Sequence, residues 1–209
     1  MEVTAMLQIQ IIPVGAYGAN CIVLREGDSC IVVDPGQDAE DILAYIAEQG
    51  LAPLAMLLTH VHFDHIGAVP GIAERFPEIP VYAHPSDWPM FGHPMNQCPP
   101  DYPAVPRPAN LRDIREAPAA LPAFGMRVLE TPGHTPGSVC LQFAGLLLSG
   151  DTLFAGSCGR TDFPGGSMSA MRRSLALLAG LPPDIKVVPG HGGTTTIGQE
   201  VASNPFMER

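Results

Sequence analysis

Three of the chain's seven histidines and one aspartate lie within six residues, in the segment LLTHVHFDHIG at 57–67. These residues are His60, His62, Asp64 and His65. His60 and His62 are two positions apart, so on an extended segment their imidazoles project to the same side and could bind one metal ion. Asp64 and His65 follow at the turn into the next helix, where they could reach a second ion. This spacing predicts a metal site and not a solvated polar turn.

Three further candidate ligands each follow an apolar run in a turn rich in glycine or proline. They are His134 in ETPGHTPGS, Asp151 in LLLSGDTLF and His191 in KVVPGHGGTTT. Loops that a rigid scaffold carries at one rim often bring such side chains together, so we expect all the candidates to converge. Because nitrogen and oxygen donors are present without a thiolate, the set suits zinc, iron or manganese.

The composition indicates a packed globular chain. Of its 209 residues, 46% are hydrophobic and 15% are charged, so one domain that spans 1–209 is expected. Eleven Lys and Arg against 21 Asp and Glu give a formal charge of −10. This charge argues against nucleic acid and anionic membranes as partners.

Residues 3–24 carry no charge, yet their pattern does not favour a membrane span or a secretory peptide. The segment contains Gln, Pro and Gly, and residues 7–11 alternate as a half-buried strand does. We predict two strands joined by a Gly-rich turn. The five cysteines include no CxxC pair, which favours free thiols and a cytoplasmic location.

Short apolar runs bounded by Gly, Pro and Asp predict strands with a few helices between them. The predicted strands are 7–12, 21–25, 30–33, 54–58, 80–83, 125–130, 138–143, 146–149 and 185–188. The predicted helices are 39–49, capped by Asp38, then 67–75, and a third that begins near Ser167. Residues 85–122 hold ten of the 23 prolines and are predicted to form an irregular insertion or lid.

The motifs THVHFDHIG, TPGHTPGS, SGDTLF and PGHGGTTT, in this order, resemble those of the metallo-β-lactamase superfamily. They most resemble its hydroxyacylglutathione hydrolase (glyoxalase II-like) branch. VVDPG at 32–36 and TTTIGQEVASNPF at 194–206 also match that branch, so the resemblance covers nearly the whole chain. It implies an α/β fold, a four-layer αβ/βα sandwich of two mixed β-sheets flanked by helices.

The resemblance also implies two divalent metal ions, with zinc as the first choice and iron or manganese as alternatives. His60, His62 and His134 would hold the first ion, Asp64, His65 and His191 the second, and Asp151 would bridge them. The implied nucleophile is a hydroxide between the ions, which makes Asp64 and Asp151 the catalytic carboxylates. The implied substrate is a small-molecule thioester such as S-lactoylglutathione.

Three nearby residues are expected to support these ligands. Asp34, in VVDPG, could accept a hydrogen bond from a ligand histidine and fix its tautomer. Arg160 and Asp162, in GSCGRTDF, are expected to pair with each other or to brace Asp151.

Three alternative functions fit part of the pattern. SCGRTDF is similar to a segment of persulfide dioxygenases, which hold one Fe(II) by two histidines and one aspartate. His60, His134 and Asp151 could form that triad and act on glutathione persulfide, but the complete second ligand set favours hydrolysis. Many zinc β-lactamases have a cysteine in place of Asp151 or lack the bridging carboxylate, so antibiotic hydrolysis is disfavoured. A non-catalytic metal-binding protein is the third alternative.

Recognition of glutathione is not explained by the motifs. Two-domain glyoxalase II enzymes bind it through an added helical C-terminal region, whereas 209 − 191 = 18 residues follow His191 here. Residues 85–122 would have to replace that region, with Arg107, Arg112 and Arg115 as their cations. A homo-oligomer is compatible with the sequence.

Overall fold

Two β-sheets form the centre of the fold, as seen in a computed structural model that describes residues 7–99 and 101–207. Within these ranges, the first sheet has six strands whose spatial order follows the chain. They are β1 (Gln8–Val14), β2 (Ala19–Glu26), β3 (Ser29–Val33), β4 (Ala52–Leu57), β5 (Val81–Ala83) and β6 (Leu111–Asp113). The first three strands pair antiparallel and β3 to β6 pair parallel, so the sheet is mixed.

The second sheet is also mixed and, in the described part of the chain, has five strands. They are β7 (Arg127–Glu130), β8 (Val139–Phe143), β9 (Leu146–Gly150), β12 (Lys186–Pro189) and β13 (Thr195–Thr196). Their spatial order is β13-β12-β9-β8-β7, with only β9 and β12 parallel. A small hairpin of β10 (Leu153–Phe154) and β11 (Ser157–Cys158) lies apart from both sheets.

Helices connect and cover the sheets. They are α1 (Ala39–Glu48), α2 (Phe63–Ile66), α3 (Val69–Arg75), α4 (Ala117–Ala120), α5 (Met168–Leu178) and α6 (Ile197–Ser203). Over residues 7–99 and 101–207, no helix combines the length and the apolar character needed to cross a bilayer.

Alternating side chains divide the first sheet between two apolar cores, because successive residues of a strand point to opposite faces. On β2, Cys21 and Val23 pack in the core that contains α1 and α3, whereas Ile22 and Leu24 pack in the core between the sheets. On the second sheet, Leu147 faces outward onto α5 and α6 in the same way. Helices therefore cover the outer face of each sheet, and the predicted four-layer αβ/βα sandwich is confirmed.

The predicted strands all occur, with ends that differ by a few residues, and β1 and β2 pair across the predicted Gly-rich turn. The predicted cap of the first helix is wrong. Asp38 precedes α1 in a left-handed conformation (φ 54°) and makes no side-chain cap; its Oδ2 accepts instead from Gly15 N at 2.7 Å. The helix predicted at 67–75 is also preceded by the separate turn α2, which carries Asp64 and His65.

Residues 85–122 are more regular than predicted. Short 3-10 turns occur at Pro85–Met90 and Pro94–Asn96, and β6 extends the first sheet by pairing with β5. The pattern could not predict β6 or α4, because three or four residues are too few to show a periodicity.

Asp87 ties this proline-rich segment to two ligand-bearing turns. Its side chain is fully buried, and its oxygens accept from Thr135 Oγ1 (2.7 Å), Gly137 N (2.7 Å) and Val61 N (3.3 Å). Burial raises the pKa of Asp87, although these hydrogen bonds oppose the rise. Val61 separates the two histidines of the HxH pair, and Thr135 follows His134, so one carboxylate joins both turns.

We expect Asp87→Ala to lower the free energy of unfolding by about 2–4 kcal/mol, because three buried donors lose their acceptor. Urea denaturation followed by circular dichroism measures the change. Asp28→Ala is the matched control: this exposed aspartate should shift stability by no more than about 0.5 kcal/mol. Equal stability of the two variants would contradict the anchoring role of Asp87.

Candidate metal centre

The candidate ligands lie at the rim where the two sheets meet. The turns that follow β4, β7, β9 and β12 each carry one or more of them. Backbone hydrogen bonds join the sheets here: Val139 N donates to Thr59 O (2.8 Å) and Asn20 N donates to Gly190 O (2.7 Å). The Asn20 side chain also donates to the carbonyls of Pro189 and Gly192. These contacts hold the ligand turns of one sheet against those of the other.

His60, His62 and His134 form the first ligand group. One nitrogen from each lies within 4.8 Å of the others, and all three residues are buried. The shortest approach is 2.8 Å, between His62 Nδ1 and His134 Nε2. The three rings meet edge to face, which directs their nitrogens towards a common point.

Asp64, His65 and His191 form the second group, again with ligand atoms within 4.8 Å of one another. His191 Nε2 lies 3.3 Å from both Asp64 Oδ2 and His65 Nε2. The turn α2 places Asp64 and His65 side by side at this position.

Asp151 lies between the two groups. Its Oδ2 is 3.5 Å from His134 Nε2 in the first group and 3.7 Å from His191 Nε2 in the second, and its Oδ1 is 3.4 Å from His65 Nε2. The structure thus brings all seven sequence-predicted ligands together.

The outward-facing Nδ1 atoms of three histidines contact oxygens that can only accept hydrogen bonds. The contacts are His65 Nδ1 to Asp34 Oδ2 (3.1 Å), His134 Nδ1 to Arg160 O (2.8 Å) and His191 Nδ1 to Tyr17 O (3.1 Å). Because carboxylates and carbonyls supply no proton, each Nδ1 must carry one. In the neutral imidazole, Nε2 then presents its lone pair to the centre.

Thr59 fixes a fourth histidine by a less direct route. Its single hydroxyl proton is donated to Asp34 Oδ2 at 2.6 Å. Thr59 Oγ1 also lies 3.1 Å from His60 Nδ1, so this hydroxyl oxygen must accept the proton of that nitrogen. The lone pair of His60 Nε2 therefore also faces inward, in the tautomer that binds metals.

Two buried atoms in this centre, His60 Nε2 and Asp151 Oδ1, have no hydrogen-bond partner among the residues that the structure describes. Buried polar atoms normally have partners, and a divalent cation is a partner for an imidazole lone pair and a carboxylate oxygen alike. The donor set and the unpaired atoms both fit metal ions.

The pKa shifts differ between the two groups. Burial, followed by the charge of His134, lowers the pKa of His62 to about 3, and burial and the neighbouring histidines lower that of His60. Burial would also lower the pKa of His65, but the carboxylates of Asp151 and Asp34 raise it well above the usual range. His60 and His62 thus favour the neutral imidazole, whereas His65 is surrounded by groups that favour a positive charge.

The two ligand carboxylates remain ionised in spite of burial. Burial raises the pKa of Asp64 and Asp151, but contacts with His191 and His65 outweigh it, and both values fall below the usual range. His191 shows the reverse balance, because Asp64 and Asp151 raise its pKa against the effect of burial.

Asp34, predicted to support a ligand, contacts His65 and also accepts from Thr59 N at 2.7 Å. Its φ of 50° lies in the left-handed region that few non-glycine residues adopt. Arg160 and Asp162 pair with each other at 2.7 and 2.8 Å. The backbone carbonyl of Arg160 contacts His134, while its guanidinium lies 3.8 Å above the ring of Phe163.

Several residues that shape the centre were not predicted. Thr59 and Gly190 adjoin predicted ligands, so their positions gave a usable signal; a Cβ on Gly190 would collide with Asp151 Oδ1 and approach His65 Cε1 to 2.8 Å. Tyr17 contributes a backbone carbonyl, which its residue type could not reveal.

A pocket of about 270 Å³ opens over the centre. Besides the ligands, its lining includes Tyr17, Phe63, Arg160 and Phe163. The three arginines considered for glutathione recognition do not line it. Arg107 instead stacks over Trp88, and Arg115 pairs with Asp113.

Comparison with known proteins gives matches over nearly the whole chain. A family model described as "Metallo-beta-lactamase superfamily" matches residues 14–191. The chain is 39% identical to "Probable metallo-hydrolase YqgX" of Bacillus subtilis (strain 168), covering 93% of this chain and 95% of that protein. It is 32% identical to "Hydroxyacylglutathione hydrolase GloC" of Haemophilus influenzae, covering 96% and 98%.

Solved structures agree with these matches. "BLEG-1 B3 metallo-beta-lactamase" superposes with a TM-score of 0.86 at 36% identity, covering 96% of this chain and 99% of that chain. "TTHA1623 in a di-iron-bound form" superposes with a TM-score of 0.84 at 39% identity, covering 94% and 99%. The shared fold, the full-length relatives and the family match together make this chain a member of the metallo-β-lactamase superfamily.

Proposed function

We propose that this metal-dependent enzyme hydrolyses acyl thioesters, of which S-lactoylglutathione is one example, at a centre of two divalent cations. The position of Asp151 between two complete ligand groups carries the proposal, since its oxygens lie 3.5 Å from His134 and 3.4 Å from His65. A mononuclear centre would leave the group of Asp64, His65 and His191 without a role. Similarity to the hydroxyacylglutathione hydrolase GloC supports the same reaction.

The ligands would divide as their geometry suggests. His60, His62 and His134 would hold one cation, Asp64, His65 and His191 the other, and Asp151 would bridge them. When bound, the cations supply a water that is reactive at neutral pH and a positive charge beside the carbonyl oxygen. Zinc suits these donors, and the di-iron form of a similar protein supports iron as the alternative.

The reaction requires little from the other side chains. One water adds to the carbonyl carbon, a carbon–oxygen bond forms, the carbon–sulfur bond breaks, and the products are a carboxylate, a thiol and one proton. A thiolate leaves readily and needs little help from a general acid. This suits a centre in which the Nδ1 protons of His65, His134 and His191 are already held by oxygens.

The decisive test combines metal analysis of the purified protein with three assays. Thiol release from S-lactoylglutathione, oxygen uptake with glutathione persulfide, and opening of a chromogenic cephalosporin are measured in parallel. We expect two metal equivalents and thiol release, lost on chelation and restored by zinc or iron. One iron per chain with oxygen uptake would overturn the proposal in favour of a persulfide dioxygenase.

Removal of the bridging carboxylate should abolish turnover. We expect Asp151→Ala to lower kcat/KM at least about 100-fold and to reduce the metal content below two equivalents, since this side chain contacts both groups. Circular dichroism should show an intact fold. Asp28→Ala is the control for loss of an exposed carboxylate, and Asp151→Asn tests the same position with its shape kept. Near-normal turnover by both Asp151 variants would contradict the bridging role.

Loss of the Asp34 charge should weaken the second group selectively. An asparagine keeps the shape of Asp34, but an amide nitrogen in place of Oδ2 is a donor only and accepts neither from Thr59 Oγ1 nor from His65 Nδ1. We expect Asp34→Asn to lower the affinity for one of two metal equivalents about 10–100-fold, as measured by competitive titration with a chelator. Asp28→Asn provides the matched control. Unchanged affinity for both equivalents would show that Asp34 does not position His65.

A further inference from the structure

We infer that a cavity beside the metal centre binds an apolar acyl chain, so that the preferred thioesters carry acyl groups longer and less polar than lactoyl. This inference rests on the proposed thioesterase function and specifies its substrate class.

The cavity has a volume of about 360 Å³, within the range of small-molecule sites. Its walls include Phe63, Met90, Met95 and Phe163 together with two prolines, and two histidines contribute the polar atoms. Among residues 7–99 and 101–207, no Asp, Glu, Lys or Arg lines it. Phe163 and Met95 leave 37% and 60% of their surface exposed, and exposed apolar side chains gathered at one place are typical of a binding surface.

The cavity adjoins the pocket over the ligands, because His62, Phe63 and Phe163 line both. The His62 ring meets the Phe163 ring edge to face, with centroids 5.9 Å apart. His62 belongs to the first ligand group. A chain attached to a carbonyl at that group would therefore pass the two phenylalanines and enter the cavity directly.

Charge decides which part of a thioester enters. The carboxylates of glutathione need cations, whereas Arg160, the cation at the edge of the ligand pocket, already pairs with Asp162 at 2.7 Å and stacks on Phe163. A lactoyl hydroxyl in the cavity would meet apolar walls, and its small acyl group would leave much of the volume unfilled. An unbranched apolar acyl group needs no charged partner and removes its methylenes from water.

The test is a series of acyl thioesters on one small uncharged thiol, N-acetylcysteamine, with the metal-loaded protein. From acetyl through butyryl to hexanoyl, kcat/KM should rise about two- to fourfold for each added methylene, as burial of apolar surface requires. S-lactoylglutathione is assayed beside the series.

Two variants locate the effect. Met95→Asp places a carboxylate in the cavity at a largely exposed position and should flatten the dependence on chain length. Leu177→Asp, at another exposed apolar position on α5 (50% exposed), is the matched control and should keep the wild-type slope.

Binding supplies a readout that does not depend on turnover. The affinities of acetate, butyrate, hexanoate and octanoate, measured by NMR titration, should rise with chain length in the wild type and not in Met95→Asp. Hydrolysis of acetyl and lactoyl thioesters with flat profiles in both experiments would overturn the acyl-chain inference and leave the thioesterase proposal standing. No turnover of any thioester, with carboxylate affinities that still rise, would overturn thioester hydrolysis and retain the cavity as a site for apolar chains.

Discussion

Imidazole nitrogens and the oxygens of two carboxylates crowd a small buried space, and the rest of the site is arranged around this crowding. The inward Nε2 atoms of His65 and His191 lie 3.3 Å apart, and within the described part of the chain His60 Nε2 and Asp151 Oδ1 make no hydrogen bond. Without cations the unpartnered atoms oppose folding, because they have lost water and gained no hydrogen bond. A cation in this space would reverse the balance, so metal binding and stability are coupled.

The fold holds this unfavourable arrangement in place through contacts that begin outside it. The histidines are oriented by oxygens from different elements: Asp34 after β3, Tyr17 between β1 and β2, and Arg160 after the β10-β11 hairpin. Since the candidate ligands follow strands of both sheets, their geometry depends on how the sheets pack and not on any one turn. The backbone hydrogen bond from Val139 N to Thr59 O is one of the contacts that join the sheets at the ligand turns.

The sequence predicted those features that repeat or cluster. Short apolar runs such as Cys21 to Leu24 indicated the strands, and the spacing of His60, His62 and His65 indicated the candidate ligands. Features that depend on one distant contact could not be predicted. Asp38 has the residue type of a helix cap, yet Gly15 N, 23 positions away, is the donor that it binds. Asp87 lies in a proline-rich stretch without periodicity, and nothing near it in sequence indicates its three donors.

The anchoring of Asp87 has a consequence for how such enzymes can diverge. Asp87 belongs to the same 3-10 turn as Met90, which lines the apolar cavity, and it is bonded to the turns that carry His62 and His134. The wall of the apolar cavity and the turns that carry the candidate ligands are thus held together by the same carboxylate. A chimaera that replaces the 3-10 turn Pro85–Met90 by that of a homologue would need donors that match those at Thr135 and Gly137. Without them, the exchange of the cavity wall would also displace the candidate ligands. Side-chain changes at Met90 or Met95 offer a route to new specificity that leaves the hydrogen bonds of Asp87 intact.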